Sequence, residues 1–300
     1  MNADLSRMAF LGFGEAAMAF APACHARMNG ALRAFDIKTE APETEQAKHA
    51  DYERFNIAGA ASCAAAMDAA ELILSLVTAD QALSAATEAA RTLPEGALYC
   101  DMNSVSPDTK REAADIIEAA GGRYVDVAVM APVHPKRENV PLLVSGPHAE
   151  AALAALKAAG FADVGIAGGE VGRASAIKMI RSIMVKGMEA LSAECLIAAS
   201  RADVREEVIN SLTESMPSYD WSGRGDYALN RMMIHGKRRA AEMEEVVKTL
   251  KGLGLDGACS QATVDWQGAV GALGLDPADG LAAKIAQIEA ERQARGARLA

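Results

Sequence analysis

The segment Phe10-Leu11-Gly12-Phe13-Gly14-Glu15-Ala16-Ala17 constrains the fold of this chain more than any other stretch. It places Gly-x-Gly-x-x-Ala directly after the apolar run Met8-Ala9-Phe10-Leu11 and directly before a helical pattern. A strand that turns into a helix over such a sequence makes a dinucleotide-binding loop. Gly12 supplies the tight turn, Gly14 lets backbone approach a pyrophosphate, and Ala17 keeps the helix close to the strand. Unsatisfied N–H groups at the start of that helix favour an anion. Gly and Ala are abundant here, so the loop pattern gains its weight from a second short strand, Arg33-Ala34-Phe35-Asp36. That strand ends in an acid about 20 residues on, where a ribose 2′-hydroxyl is held. The predicted cofactor contacts are Gly12, Phe13, Gly14, Glu15, Ala16 and Asp36. A carboxylate where a 2′-phosphate would sit favours NAD; Lys38, two residues on, softens that preference and leaves NADP open.

Up to about residue 167, short apolar runs alternate with helical patterns. Residues 72–77, 97–101, 123–127 and 142–145 read as further strands, with turns at Thr78-Ala79-Asp80 and at Met102–Pro107. Strands alternating with helices predict a doubly wound, parallel sheet of the Rossmann type. Pro22 falls inside the first helix and is expected to kink it or end it early. After Gly168-Gly169 only helical periodicity remains, over about 172–201, 203–215, 227–252 and 259–273, with a solvated helical tail over 282–300. Polar breaks are expected at Pro217–Asp220 and at Ser222–Gly225. The predicted organisation is α/β: a Rossmann domain over 1–167, then an all-α substrate and dimerisation domain over 168–300.

Charge and composition narrow the function. A net charge of −10 argues against nucleic-acid or anionic-membrane partners. There is no apolar stretch of about 18 residues to span a bilayer, and nothing resembles a signal peptide. The five cysteines are scattered and lack a C-x-x-C pair, which predicts reduced thiols in a cytoplasmic protein. The histidines never take metal-ligand spacing, so no metal centre is expected. Ser62 and Ser192 lack a nucleophile elbow.

The second strong signal runs from Gly169 to Ser182. Small residues open a long apolar helix, and Lys178 follows one to two turns in. Here the chain resembles the β-hydroxyacid dehydrogenase superfamily, which includes 6-phosphogluconate and 3-hydroxyisobutyrate dehydrogenases. The resemblance covers nearly the whole chain. It puts Lys178 on the family's catalytic lysine and Ser182 on the position of its asparagine. The family's Asp-x-Ser-x-x-x-Pro motif is matched loosely by Asp101–Pro107. Its Asp-Ala-Pro-Val-Ser-Gly-Gly loop falls on Asp126–Pro132, so Met130-Ala131-Pro132 replaces Ser-Gly-Gly, and Pro132 has no N–H to donate. The Ala174-x-x-x-Lys178-Met179 helix and the Arg238-Arg239-x-x-Glu242-Met243 segment resemble a divergent, 6-phosphogluconate dehydrogenase-like branch.

The chemistry of Lys178 stands apart from the resemblance. Oxidising a secondary alcohol by hydride loss needs a base for the hydroxyl proton, and the reverse reaction needs the same group as an acid. Lys178, Arg181, Ser182 and Lys186 recur with helical spacing along one helix; the bland alternative is that they snorkel to water. His235, Arg239 and Glu242 share a helix face. Arg239 suits bidentate capture of a carboxylate or phosphate, unless the face is solvated and its Arg and Glu pair with each other. His134, Lys136 and Arg137 follow the altered loop, either facing the cleft or as plain surface residues.

The expectation is an NAD(P)-dependent oxidoreductase acting on the hydroxyl of an anionic hydroxyacid. Lys178 is its acid/base with Ser182 beside it, and Thr78 and Asn103 lie near the nicotinamide. Ser104, Met130, His134, His235 and Arg239 face the substrate. The rivals are an imine reductase, whose architecture is the same but which generally lacks the helix lysine, and a catalytically silent nucleotide-binding regulatory protein. The alanine-rich second-domain helices predict a homodimer.

Overall fold

The computed structural model describes residues 5–28 and 32–296. Contacts divide the chain into two compact units, Met1–Lys178 and Met179–Ala300.

The first unit alternates strand and helix: β1 (Met8–Leu11), α1 (Glu15–Arg27), β2 (Leu32–Phe35), α2 (Pro42–Arg54), β3 (Ala58–Gly59), α3 (Cys63–Met67), β4 (Leu72–Ser75) and α4 (Ala82–Ala90). It continues with β5 (Leu98–Asp101), α5 (Pro107–Ala119), β6 (Arg123–Val129), α6 (Val133–Lys136), β7 (Leu142–Ser145), α7 (Ala149–Ala158), β8 (Val164–Gly168) and the start of α8 (Arg173–Arg201). These strands form one sheet in the order β3-β2-β1-β4-β5-β6-β7-β8. The Rossmann expectation is met, because β1, β4 and β5 are buried along their whole length and helices cover both faces. Successive side chains feed opposite cores. Phe10, Leu74, Cys100 and Val125 point to one, and Leu11, Ile73, Tyr99 and Tyr124 to the other.

Three details differ from the expectation. The sheet is not wholly parallel: β7 runs antiparallel to β6. Only short helical turns link these two strands, and a parallel return needs a full crossover. The edge strands β3 and β8 were not foreseen. Pro22 does not end α1, which runs on to Arg27. It lies on the exposed side, where water can serve the carbonyl that loses its amide partner.

The second unit holds the rest of α8 with α9 (Arg205–Ser215), α10 (Trp221–Gly252), α11 (Ala258–Ala272) and α12 (Leu281–Arg295). The expected break at Ser222–Gly225 is instead the first turn of α10. Asp220 caps that turn, accepting from the Gly223 amide at 2.8 Å. α10 and α11 approach closely at glycines: a Cβ on Gly236 would lie 2.3 Å from the Gln267 carbonyl oxygen. Leu196, Leu229, Met232, Trp266 and Val270 form the main core. Among the described residues, no helix is long and apolar enough to cross a membrane.

Candidate active site

The loop after β1 is shaped by its glycines. Gly12 has φ +85°, and a Cβ there would lie 2.5 Å from the Leu76 carbonyl oxygen. Gly14 forms the N-cap of α1 with no side-chain cap, and a Cβ there would meet nothing within 4 Å. The front of that helix is therefore open to a pyrophosphate. Phe13 splits its roles. Its ring packs on Tyr52 and Phe55 with centroids 5.2 and 6.1 Å away, while its amide donates to Asp36 Oδ2 at 2.8 Å. Lys48 Nζ donates to the Phe13 carbonyl at 2.7 Å, a clamp that sequence reading missed. Asp36 Oδ1 accepts from the Lys38 amide at 3.0 Å, so the acid that would face a ribose also sets the loop. Glu15 is exposed and Ala16 half-buried. An open helix N-terminus, a glycine turn and a fixed carboxylate together suit NAD(P).

Because β1, β4 and β5 are parallel and in register through Leu11, Ser75 and Asp101, the turns that follow them gather at the carboxyl end of the sheet. Ligands bind there in this fold. Thr78 is exposed; the hydrogen bond from Gln81, then that from Thr78, holds the Asp80 carboxyl below the usual range. Asn103, expected to face the cofactor, has its side chain engaged inside the protein. Its Nδ2 donates to Ser75 Oγ at 3.0 Å and its Oδ1 accepts from the Val77 amide at 2.7 Å. It ties β4 to β5, and the half-buried Ser104 follows it.

Lys178, in the second turn of α8, donates from Nζ to Ser104 Oγ at 2.5 Å. It is half-buried, with its ammonium on a specific hydroxyl and not simply in water. Ser182, one helical turn further, is 8% exposed. Around this contact lies an ionic cluster that sequence reading missed. Lys110, Asp101 and Asp126 are all fully buried. Lys110 Nζ lies 3.0 Å from Asp101 Oδ1 and 3.5 Å from Asp126 Oδ1, and donates to the Asp101 carbonyl at 2.6 Å. Tyr124 donates to Asp101 Oδ2 at 2.8 Å. Burial first, then the charges of Asp101 and Asp126, push that phenol well above its ordinary pKa, so it stays a donor. Asp126 Oδ2 accepts from Ser145 Oγ at 3.1 Å, from the Ser175 amide at 3.0 Å and from Ser175 Oγ at 3.1 Å. One signal pointed to Lys110: it sits on the buried stripe of α5 with Pro107, Ala113, Ala114 and Ile117, where a lysine needs an internal partner.

Other expected substrate contacts are placed as follows. Met130 is half-buried, its amide donating to the Pro141 carbonyl at 2.8 Å. His134 is exposed on the short α6, which follows β6. In the second unit, His235 is half-buried on α10. Arg239 corrects the expectation: it is 7% exposed and is neither an open anchor nor part of a solvated face. Its guanidinium pairs with the buried Glu189 of α8, which also accepts from Gln267 Nε2 at 3.1 Å. Glu242 pairs with Lys186 at 2.6 Å. Burial lowers the Lys186 pKa, and the Glu242 carboxylate works against that shift.

Comparison with known proteins agrees with this geometry. Residues 7–155 match the NAD binding domain of 6-phosphogluconate dehydrogenase, and residues 199–270 match a domain of unknown function, DUF1932. A conserved hypothetical protein from Sinorhizobium meliloti 1021 is 36% identical, aligned over 97% of this chain and 98% of that one, with a TM-score of 0.75. Mycobacterium tuberculosis 3-hydroxyisobutyrate dehydrogenase, solved with L-serine, shares the fold at 15% identity, covering 95% of this chain and 99% of that one at a TM-score of 0.73. A Streptomyces aurantiacus imine reductase does so at 19% identity, covering 94% and 99% at 0.52.

Proposed function

Because the chain belongs to the β-hydroxyacid dehydrogenase superfamily, in its 6-phosphogluconate dehydrogenase-like branch, we propose that it is an NAD(P)-dependent oxidoreductase acting at the hydroxyl carbon of a hydroxyacid. The observation that carries this reading is the 2.5 Å contact of Lys178 Nζ with Ser104 Oγ, at the sheet end where the Gly12–Ala17 loop suits the cofactor. When bound, the nicotinamide accepts or returns the hydride. Lys178 takes the hydroxyl proton in the neutral form during oxidation and returns it as an ammonium during reduction. Ser104 orients the Nζ group. Asp36 favours NAD, since its carboxylate repels a 2′-phosphate.

The Met130-Ala131-Pro132 loop shifts the substrate away from those of the better-known relatives, because Pro132 offers no N–H to a substrate carboxylate. A second reading, reduction of a C=N bond, is supported by the fold shared with an imine reductase; Lys178 counts against it. A screen of hydroxyacids, ketoacids and imines, followed at the reduced nicotinamide band, decides between the readings. Turnover of imines alone, unaffected by Lys178→Met, would exclude the first.

The working form we propose is a homodimer in the cytoplasm. Ile180, Met184, Met188 and Leu191 form an apolar stripe along α8, exposed by 48, 63, 40 and 68%. Such an exposed apolar stripe supports this reading, because a twofold axis can set the same patch of two copies against itself. Sedimentation at micromolar concentration that shows only a species near 31.3 kDa would exclude the dimer.

A further inference from the structure

We infer that Lys110, Asp101 and Asp126 are positioning residues that set the Lys178–Ser104 contact from both sides. The inference takes the role of Lys178 from the proposed function, but the position of Lys178 from geometry alone. Each carboxylate holds one partner of that contact. Asp101 Oδ1 accepts from the Asn103 amide at 2.9 Å, one residue before Ser104. Asp126 Oδ2 accepts from both the amide and the hydroxyl of Ser175. Ser175 lies one helical turn before Lys178 and on the same face of α8. The single ammonium of Lys110 lies between the two carboxylates and so couples the β5 turn to the first turn of α8.

Charge balance explains why the cluster reaches α8 at all. Two buried carboxylates face one buried ammonium, which leaves a net negative charge out of water. The buried first-turn N–H groups and the positive dipole end of α8 supply the remaining compensation, because Asp126 accepts from the Ser175 amide. Breaking the link to Ser175 therefore releases the helix start and strands a charge together. A further contact limits movement there. Gly172 has φ +95°, and a Cβ on it would lie 3.1 Å from Pro107 Cβ and 3.2 Å from the Pro107 carbonyl oxygen. The start of α8 thus leans on the first turn of α5, the helix that carries Lys110. A cluster serving only to hold α5 on the sheet would not need its acceptors on Ser175 and Asn103.

The test uses the full chain, with lysines reductively dimethylated with 13C and the Lys178 resonance assigned by its loss in Lys178→Arg. It needs neither substrate nor turnover, so it stands or falls apart from the proposed activity. In the unmutated protein the Lys178 methyl signal is expected to be displaced from that of exposed lysines. In Asp126→Asn and in Ser175→Ala it should move toward the exposed-lysine position, while the Lys157 and Lys251 signals stay in place. With a substrate in hand, kcat should fall roughly 10–100-fold in Asp126→Asn, the scale of an ångström-level misplacement, with cofactor affinity within about twofold. Adding Asp126→Asn to Ser104→Ala should cost little more than Ser104→Ala alone, because both act on one contact. If Asp126→Asn does not fold, Ser175→Ala, which removes a single hydroxyl, decides the question. A Lys178 signal unmoved in the folded variants, or fully additive losses with Ser104→Ala, would overturn the inference.

Discussion

Lys110→Met is the sharpest test of how the first unit is held together. The substitution keeps an unbranched apolar stem in the α5 stripe and removes the one ammonium lying between Asp101 and Asp126. All three groups are fully buried, so water cannot replace the lost charge. Removing one partner of a buried ion pair typically costs about 3–5 kcal/mol, because the other is stranded. Here two carboxylates are stranded, although Tyr124, Ser145 and Ser175 still donate to them. We therefore expect a loss of about 3–5 kcal/mol. For a unit of this size that lowers the melting midpoint by roughly 6–20 °C. Far-ultraviolet circular dichroism during urea and thermal unfolding reads both quantities. The double variant Lys110→Met/Asp126→Asn should be more stable than Lys110→Met, since neutralising one stranded carboxylate removes part of the penalty. A single-variant loss under about 1 kcal/mol, the scale of an exposed pair, would refute the reasoning. So would a double variant that loses the sum of the two single effects.

Other outcomes follow from the same geometry. Comparison of kcat/KM for the two cofactors should favour NAD, and Asp36→Ser should move the ratio toward NADP; an unmutated preference for NADP would contradict the role of Asp36. Arg239→Ala should destabilise the second unit by about 3 kcal/mol or more, because it strands the buried Glu189; a change confined to KM would restore Arg239 as an open anchor. The lowered pKa of Lys186 makes the native state release its proton before the unfolded chain does. Across the window from that lowered pKa up to about the ordinary 10.5, the unfolded chain binds more protons, so this group's contribution to stability rises with pH. Lys186→Met should flatten that rise in alkaline unfolding curves, and an unchanged slope would exclude Lys186 as its source.

Local patterns in the chain carried the fold a long way. The Gly12–Ala17 loop, Asp36 and the α8 lysine are each written within a few consecutive residues, and central strands such as β4 and β5 announce themselves as apolar runs. Edges were harder. β3 is two residues long, and β8 contains two glycines and is only half-buried, so neither shows an apolar run. The direction of β7 depends on the length of its connection and not on its own residues. Ser222–Gly225 looks like a break because its polar residues form a capped first turn, although Asp220 ahead of a helical pattern is itself a capping signal. Charged partners were the hardest to foresee. Lys110, Asp101 and Asp126 come from three separate elements, and Arg239 meets Glu189 fifty positions away. A cation on an apolar stripe shows that an internal partner exists but does not say which one.

The central claim is that Lys178 handles the proton that accompanies hydride transfer. Single-turnover hydride transfer in Lys178→Met, with the cofactor bound and a substrate found by the screen, tests it most directly. Cofactor affinity should be nearly unchanged, because the proposed reading assigns the cofactor to the Gly12–Ala17 loop and not to this side chain. The rate of transfer should fall by roughly 10²–10⁴-fold, the usual contribution of a positioned acid/base. Transfer at the unmutated rate would make the lysine structural and contradict the account.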